Sequence, residues 1–369
     1  MPDCLPPPSA PDRLSTYIIA EAGVNHNGDL GTALRLVDAA ADAGADAVKF
    51  QTFRSTDLVA RHAPKAEYQL RTTDKKESQF EMIRRLELDP AAHDTLHRHC
   101  IARGIEFLST PFDTYSLHML VERFDMRTIK VSSGDLNNAP FLLDIAHVSQ
   151  RVILSTGMAT LADIEAALGV LAYGWSSEET NVPPSRGAFE AAFASAKGKQ
   201  HLSERVVVLH CTTEYPAPYN EVNLRAMATL AAAFPVQVGY SDHTQGIHIP
   251  LAAVALGATL IEKHFTLDRG LPGPDHKASL LPSELTAMVH SIREVEQALG
   301  DGFKRPTASE WKNRAIARKS LVAAQDTRAG EPLVLACKRP GTGRSPFDFW
   351  QLRQRPASRD YAADEAIDE

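Results

Sequence analysis

The chain has 369 residues, 44% of them hydrophobic and 23% charged, and a formal net charge of −7. Such a length accommodates one barrel of about 250 residues and a small appendage. The mild negative charge is spread along the chain and argues against a nucleic-acid binder working through a basic face. No run approaches the roughly 18 apolar residues of a membrane span.

The opening, MPDCLPPPSAPDRLS, lacks the charged and apolar regions of a secretory signal, and its prolines predict a disordered leader over 1–15. Cys4, Cys100, Cys211 and Cys337 share no metal spacing and read as reduced thiols of a cytoplasmic protein. From there, eight short apolar runs each stop at a polar or ionisable residue: Tyr17–Glu21, Asp46–Gln51, Gly104–Thr110, Arg127–Ser133, Arg151–Ser155, Arg205–His210, Val236–Ser241 and Ala258–His264. Helix-length stretches such as Leu30–Ala43 and Ala91–Arg103 separate them. Eight strand–helix units in series predict an α/β fold, a closed (β/α)8 TIM barrel over 16–300, with its active site at the carboxyl ends of the strands.

Three departures from a minimal barrel stand out in chain order. After the second strand comes a polar excursion from Thr52 to about Glu81, long enough to suggest a lid or binding segment. Between the fifth and sixth units, 174–204 is rich in Ser, Gly and Pro and reads as a partly mobile surface insertion. After a last amphipathic helix, Pro282–Leu299, the polar stretch 301–319 reads as a linker. Residues 320–369 form a small unit of marginal size, which needs another surface to pack on.

The strand ends carry the chemistry. His243 and His264 follow neighbouring strands, whose ends lie about 5 Å apart. Both imidazoles therefore reach a single divalent Mn, Mg, Zn or Fe ion with positions left open for substrate or water. His93, His97 and His99 with Cys100 form a rival cluster, but on an outer helix, where a solvated face is expected. Lys49 and Lys130 interrupt apolar strands. Either each has a carboxylate opposite, Glu21, Glu262 or Asp135, or both join Thr110, Ser133, Ser155 and Ser241 in a cradle for one dianion such as a phosphate. Lys130 is also a candidate Schiff-base nucleophile, a role that a metal makes redundant. No P-loop or paired-glycine fingerprint points to a nucleotide.

The motifs IAEAGVNHNGD, VKFQTF, LSTPFD, KVSSGD, ILSTGM, LHCTTEYPAPYNEVNLRAM, GYSDHT, IEKHFTLD, LPGPDHKASL and KRPGTG occur in one order, from about Tyr17 to Asp364, with 174–204 left out. In this the chain resembles the bacterial N-acetylneuraminate (sialic acid) synthases. The resemblance implies condensation of phosphoenolpyruvate with N-acetylmannosamine, or a close analogue, and water, giving N-acetylneuraminate and phosphate. The nearest alternative is a legionaminic acid synthase using a 2,4-diacetamido-trideoxymannose; a remote one is a non-catalytic sugar-binding protein.

It further implies a C-terminal SAF (antifreeze-like) domain over 320–369 and a domain-swapped homodimer. It implies a divalent metal on His243 and His264, Mn2+ before Mg2+ or Co2+. Phosphoenolpyruvate is then held by Lys49, Thr110, Lys130, Ser133, Ser155 and Ser241. Glu21, Gln51, Tyr215 and Asp275 surround the sugar and the reacting carbons, Asp135 is a second candidate for proton transfer, and Arg339 reaches the sugar's N-acetyl group from the neighbouring subunit. Asp135 stands where some members have Glu, and Thr213 where some have Asn. The last strand of the SAF domain is expected to be missing.

Overall fold

The computed structural model describes residues 15–66, 70, 73, 77–176 and 182–368. The expected leader lies outside these apart from Ser15. The chain divides into two compact units, Met1–Gly300 and Asp301–Glu369.

In the first unit all eight expected strands form: β1 (Tyr17–Gly23), β2 (Ala47–Thr52), β3 (Glu106–Pro111), β4 (Thr128–Val131), β5 (Arg151–Ser155), β6 (Val206–His210), β7 (Gln237–Asp242) and β8 (Leu260–His264). They make one parallel sheet in the order β3-β2-β1-β8-β7-β6-β5-β4. Its two edge strands, β3 and β4, come side by side, so the sheet curls into a barrel laddered on every seam but that one. β4 is shorter than its apolar run because Ser133–Asp135 turns into a short 3-10 helix.

Side-chain alternation sorts the strands into an inner and an outer face. Inward, Ile19, Ala47, Leu108, Ile153, Val207, Leu209 and Leu260 plug the lower barrel. Outward, residues such as Ile18, Val48, Phe107, Ile129, Val208 and Ile261 meet the apolar stripes of the helices in the main core. The helix Leu30–Asp42 shows the local logic. The Asp29 carboxylate accepts a 2.7 Å hydrogen bond from the Thr32 amide and caps the helix, and the stripe Ala33, Leu36, Val37 and Ala40 is buried.

One expectation is filled in here and one corrected. Among its described residues the 174–204 insertion is a largely exposed elaboration that contains two helices, Arg186–Ala194 and Ala196–Arg205, laid against the long helix Leu161–Ser176. A Cβ at Gly169 would meet the Phe189 carbonyl oxygen at 2.9 Å, so a glycine permits that close approach. The supposed solvated face of the helix Pro90–Arg103 is largely covered. His93 is wholly buried and its Nε2 lies 2.8 Å from the Thr52 hydroxyl, which sits 2.6 Å from Ser109. His97 packs edge-on to Phe107, ring centroids 5.7 Å apart. That helix has no continuous apolar stripe: His93 stands among Ala92, Leu96 and Cys100 on the buried face, and finds its partner on the barrel wall.

In the second unit, the stretch expected as a linker contains the helix Ala308–Ala317, started by a capping box between Thr307 and Glu310. β9 (Ser320–Ala323) and β10 (Leu335–Lys338) pair antiparallel over a core of Leu321, Leu333, Leu352, Tyr361 and Ile367. The chain end does return to β9, where Val322 bridges to Ala366.

Candidate active site

At the carboxyl ends of the strands the barrel opens into a cavity of about 720 Å3. Its wall brings together Glu21, Lys49, Gln51, Thr110, Lys130, Ser133, Ser155, Tyr215, Ser241, His243, His264 and Asp275, residues spread over 255 positions of sequence. Asp135 lies just behind, accepting a 2.6 Å hydrogen bond from Ser132, and burial raises its carboxyl above the usual range. Arg339 is not on this wall; it belongs to the second unit, where it is exposed.

The cavity floor is a buried set of alternating charges. Lys49 contacts the Glu21 carboxylate, donates to Thr110 Oγ1 at 3.0 Å, and lies 3.6 Å from Glu262. Lys130 donates to Ser155 Oγ at 2.8 Å and lies 3.7 Å from the other oxygen of Glu262, which accepts from Ser241 Oγ at 2.8 Å. Glu262 is thus the bridge between the two ammoniums. Strand register builds this: Glu21 pairs with Lys49 across β1–β2 and with His264 across β1–β8, and Ser241 pairs with Glu262 across β7–β8.

Burial alone pushes every charge here toward neutrality. For Glu21 burial wins, helped by Glu262 and opposed by Lys49, and its carboxyl is pushed up to about 7. For Glu262 burial is outweighed by the ammoniums of Lys130 and Lys49, which hold it down to about 2. Burial also lowers Lys130, whereas Glu21 and Glu262 overcome it and raise Lys49. Two ammoniums with hydroxyls around them can receive a strongly anionic group by exchanging carboxylate for phosphate oxygens.

The imidazoles converge above the floor, ring centroids 5.5 Å apart, with the Tyr215 ring 4.2 Å from His243. His243 Nδ1 donates to the Thr212 carbonyl at 2.5 Å, which fixes the tautomer and leaves Nε2 unprotonated, 3.4 Å from the Ser241 hydroxyl. His264 Nδ1 is buried without a hydrogen-bond partner, 4.0 Å from an oxygen of Asp275. Burial keeps both rings below the usual histidine range, hence neutral. Burial likewise raises Asp275 to about 6. Two neutral imidazoles with an unused nitrogen and a nearby carboxylate fit a divalent cation. Among the described residues no ready-made group of three such ligands exists, so the remaining positions would fall to substrate or water.

Sequence reasoning took Glu262 only as a lysine's counter-charge; the alternation of β8, which turns Leu260, Glu262 and His264 to one face, signals that it points inward with His264, though not that it bridges both lysines. It also missed the packing beside Ser133. A Cβ at Gly157 would meet Thr213 Oγ1 at 2.1 Å, and the Gly157 amide donates to Ser133 Oγ at 2.9 Å. Only glycine lets the β5 turn approach so closely. The described part of the Thr52–Glu81 excursion and the helix that follows, Gln79–Arg84, supply a wall of the cavity.

The model of the NeuB family matches residues 36–304. The chain is 48% identical to the N,N'-diacetyllegionaminic acid synthase of Campylobacter jejuni over 96% of its length and 99% of that protein's. It is 44% identical to the protein of the same name in Legionella pneumophila, over 91% and 88%. The crystal structure of an N-acetylneuraminic acid (sialic acid) synthetase from Leptospira borgpetersenii superposes with a TM-score of 0.65 at 34% identity, covering 81% of this chain and 90% of that one. The chain belongs to the NeuB family.

Proposed function

We propose that this member of the NeuB family joins phosphoenolpyruvate to a 2,4-diacetamido-trideoxymannose and water, yielding N,N'-diacetyllegionaminic acid and phosphate. The observation that carries the choice of sugar is the near full-length identity to two proteins bearing that name, 48% and 44%. N-acetylmannosamine, the sugar expected from the motifs, becomes the second reading, favoured by the name of the Leptospira structure.

In this reading the phosphate of phosphoenolpyruvate displaces carboxylate oxygens from Lys49 and Lys130 and takes hydrogen bonds from Thr110, Ser133, Ser155 and Ser241. The enol carbon forms a bond to the sugar's aldehyde carbon as the aldehyde's π bond breaks. The aldehyde oxygen becomes a hydroxyl by taking one of the two protons that water gives up, and the other leaves with phosphate. Positive charge develops on the phosphate-bearing carbon. Glu21, held beside Lys49 with its carboxyl near neutrality, faces that charge and accepts the proton of the incoming water. The tetrahedral product then expels phosphate, whose charge the two ammoniums take up. His243 and His264 would hold a divalent cation, which when bound supplies Lewis-acid polarisation of the aldehyde. Gln51, Tyr215 and Asp275 line the sugar's side of the cavity. Asp135, behind Ser132, serves as the alternative proton carrier.

The same proposal includes a C-terminal SAF domain and a homodimer in which Arg339 of one protomer contacts the sugar's acetamide in its partner. Among the described residues no helix is long and apolar enough to cross a membrane.

Phosphate release from phosphoenolpyruvate with Mn2+ tests the reading. The diacetamido sugar is expected to give a kcat/KM at least about tenfold above N-acetylmannosamine. Equal or reversed preference overturns the choice of sugar. Light scattering and Arg339→Ala test the dimer and the arginine; an unchanged sugar KM removes Arg339.

A further inference from the structure

Above the charged floor the cavity has two unlike sides. One is apolar: Leu58, Met82 and Ile83 line it, backed by a packed cluster of Val24, Phe53 and Leu86. Phe53 is itself braced edge-on by Phe112, ring centroids 6.2 Å apart. The other side is polar. It carries Thr213, whose buried hydroxyl has no hydrogen-bond partner, and Glu214, and it continues into a second cavity of about 860 Å3 with Glu221, Asn223 and Arg225 on its wall.

A sugar whose aldehyde carbon meets the enol carbon over Lys49 and Lys130 must send its remaining carbons away from the floor, along one of these sides. Hydroxyl-rich carbons belong on the polar one, because an apolar wall strips water from a hydroxyl and offers nothing in return. Compared with N-acetylmannosamine, the diacetamido-trideoxy sugar exchanges one hydroxyl for hydrogen and another for an acetamide. It therefore presents two additional methyl groups.

We infer that the wall of Leu58, Met82 and Ile83 is the subsite that selects the sugar, taking the methyl of the deoxygenated carbon and that of the second acetamide. This rests on the diacetamido reading above and adds where the selection is made. Each methyl moved from water onto such a wall is worth about a fourfold gain. Two give roughly fifteenfold, within the range that hydrophobic pockets achieve for small differences between substrates. Met82, unbranched and adaptable, fits a surface that must follow an acetamide. The selection thus lies on the segment after β2, away from the residues that hold phosphoenolpyruvate.

The test measures kcat/KM for both sugars, and KM for phosphoenolpyruvate, in wild type, Leu58→Asn, Ile83→Asn and Glu214→Gln. Leu58 and Ile83 are partly exposed, so asparagine is tolerated there. Leu58→Ala and Ile83→Ala provide milder versions if an asparagine variant fails to fold. The ratio of diacetamido to mono-acetamido kcat/KM is expected to fall about tenfold in the asparagine variants and less in the alanine ones. The KM for phosphoenolpyruvate should stay at the wild-type value, and Glu214→Gln, on the side that takes hydroxyl-rich carbons, should not lower the ratio. Equal losses with both sugars, or a ratio that falls only in Glu214→Gln, overturn the inference. The wild-type preference tests the sugar reading by itself, so its failure is distinguishable from failure of the wall.

Discussion

Two buried clusters of lysine and carboxylate sit back to back on β8. Outside the barrel, Lys263 donates to Asp242 Oδ2 at 2.5 Å and to the Thr244 carbonyl, while Asp242 also accepts from the Tyr240 hydroxyl at 2.9 Å and from Thr244. Inside, Lys49 contacts Glu21, but Glu262 stands 3.6 and 3.7 Å from Lys49 and Lys130, too far for a hydrogen bond to either. Glu262 Oε2 and His264 Nδ1 have no hydrogen-bond partner. Both clusters sit where water is excluded, and they share β8, whose alternation turns Glu262 inward and Lys263 outward. The outer one is closed, each group matched to another, and does structural work: it ties the end of β7 to the end of β8, directly beside His243 and His264. The inner one retains unspent capacity, which is what a site needs in order to receive an anion.

Mutations should separate the two. The largest effect is expected inside: Lys49→Met should lower kcat/KM for phosphoenolpyruvate about a thousandfold or more, with a melting temperature near that of the wild type. Steady-state kinetics beside a thermal melt would check both halves, and retained activity would remove Lys49 from the phosphate site. Outside, Lys263→Met should instead cost stability, about 3–5 kcal/mol, because it strands the Asp242 carboxylate in the core. The double variant Asp242→Leu/Lys263→Met should recover most of this in urea unfolding.

Next in size is a pH effect. The folded-state value of Glu21 stands near 7, above that of the unfolded chain, so the native state binds more protons in between. Its contribution is therefore fully present below the unfolded value, about 4.3. It is lost as pH rises through about 7. Glu21→Gln should flatten that slope in unfolding measured from pH 5 to 8, and an unchanged slope would place the carboxyl elsewhere. The smallest change is Ser241→Ala, which removes one hydroxyl from Glu262 and should cost about 1 kcal/mol, roughly fivefold in kcat/KM. An unaltered rate would mean that Glu262 is held by the lysines alone.

The barrel was legible because each strand is a short apolar run ending in a polar residue, and because alternation needs no knowledge of neighbours. Most of the inner site was legible for the same reason: Lys49, Lys130, His243 and His264 stand at strand ends whatever surrounds them. What stayed hidden depended on contacts across the sheet. That Glu262 lies between both lysines follows from the register of β1, β2, β7 and β8 together, which no single segment encodes. His93 misled because its helix has no strong apolar stripe, and only the Thr52 and Ser109 hydroxyls opposite explain a buried imidazole there. The insertion's composition signalled a surface segment but not its two helices, which the Ser, Gly and Pro flank and whose docking Gly169 of the preceding helix permits.

Along Leu260–His264 both clusters are written on one strand at alternate positions, like two messages on the two sides of a tape. Losing or gaining a single residue there would turn Lys263 toward the cavity and His264 toward the helices, erasing both messages together. Over generations this strand can drift only by substitution, never by change of length, whereas the helices of 186–205 can lengthen or shrink without reaching either cluster. A family divergent in its surface elaborations should therefore keep β8 at constant length.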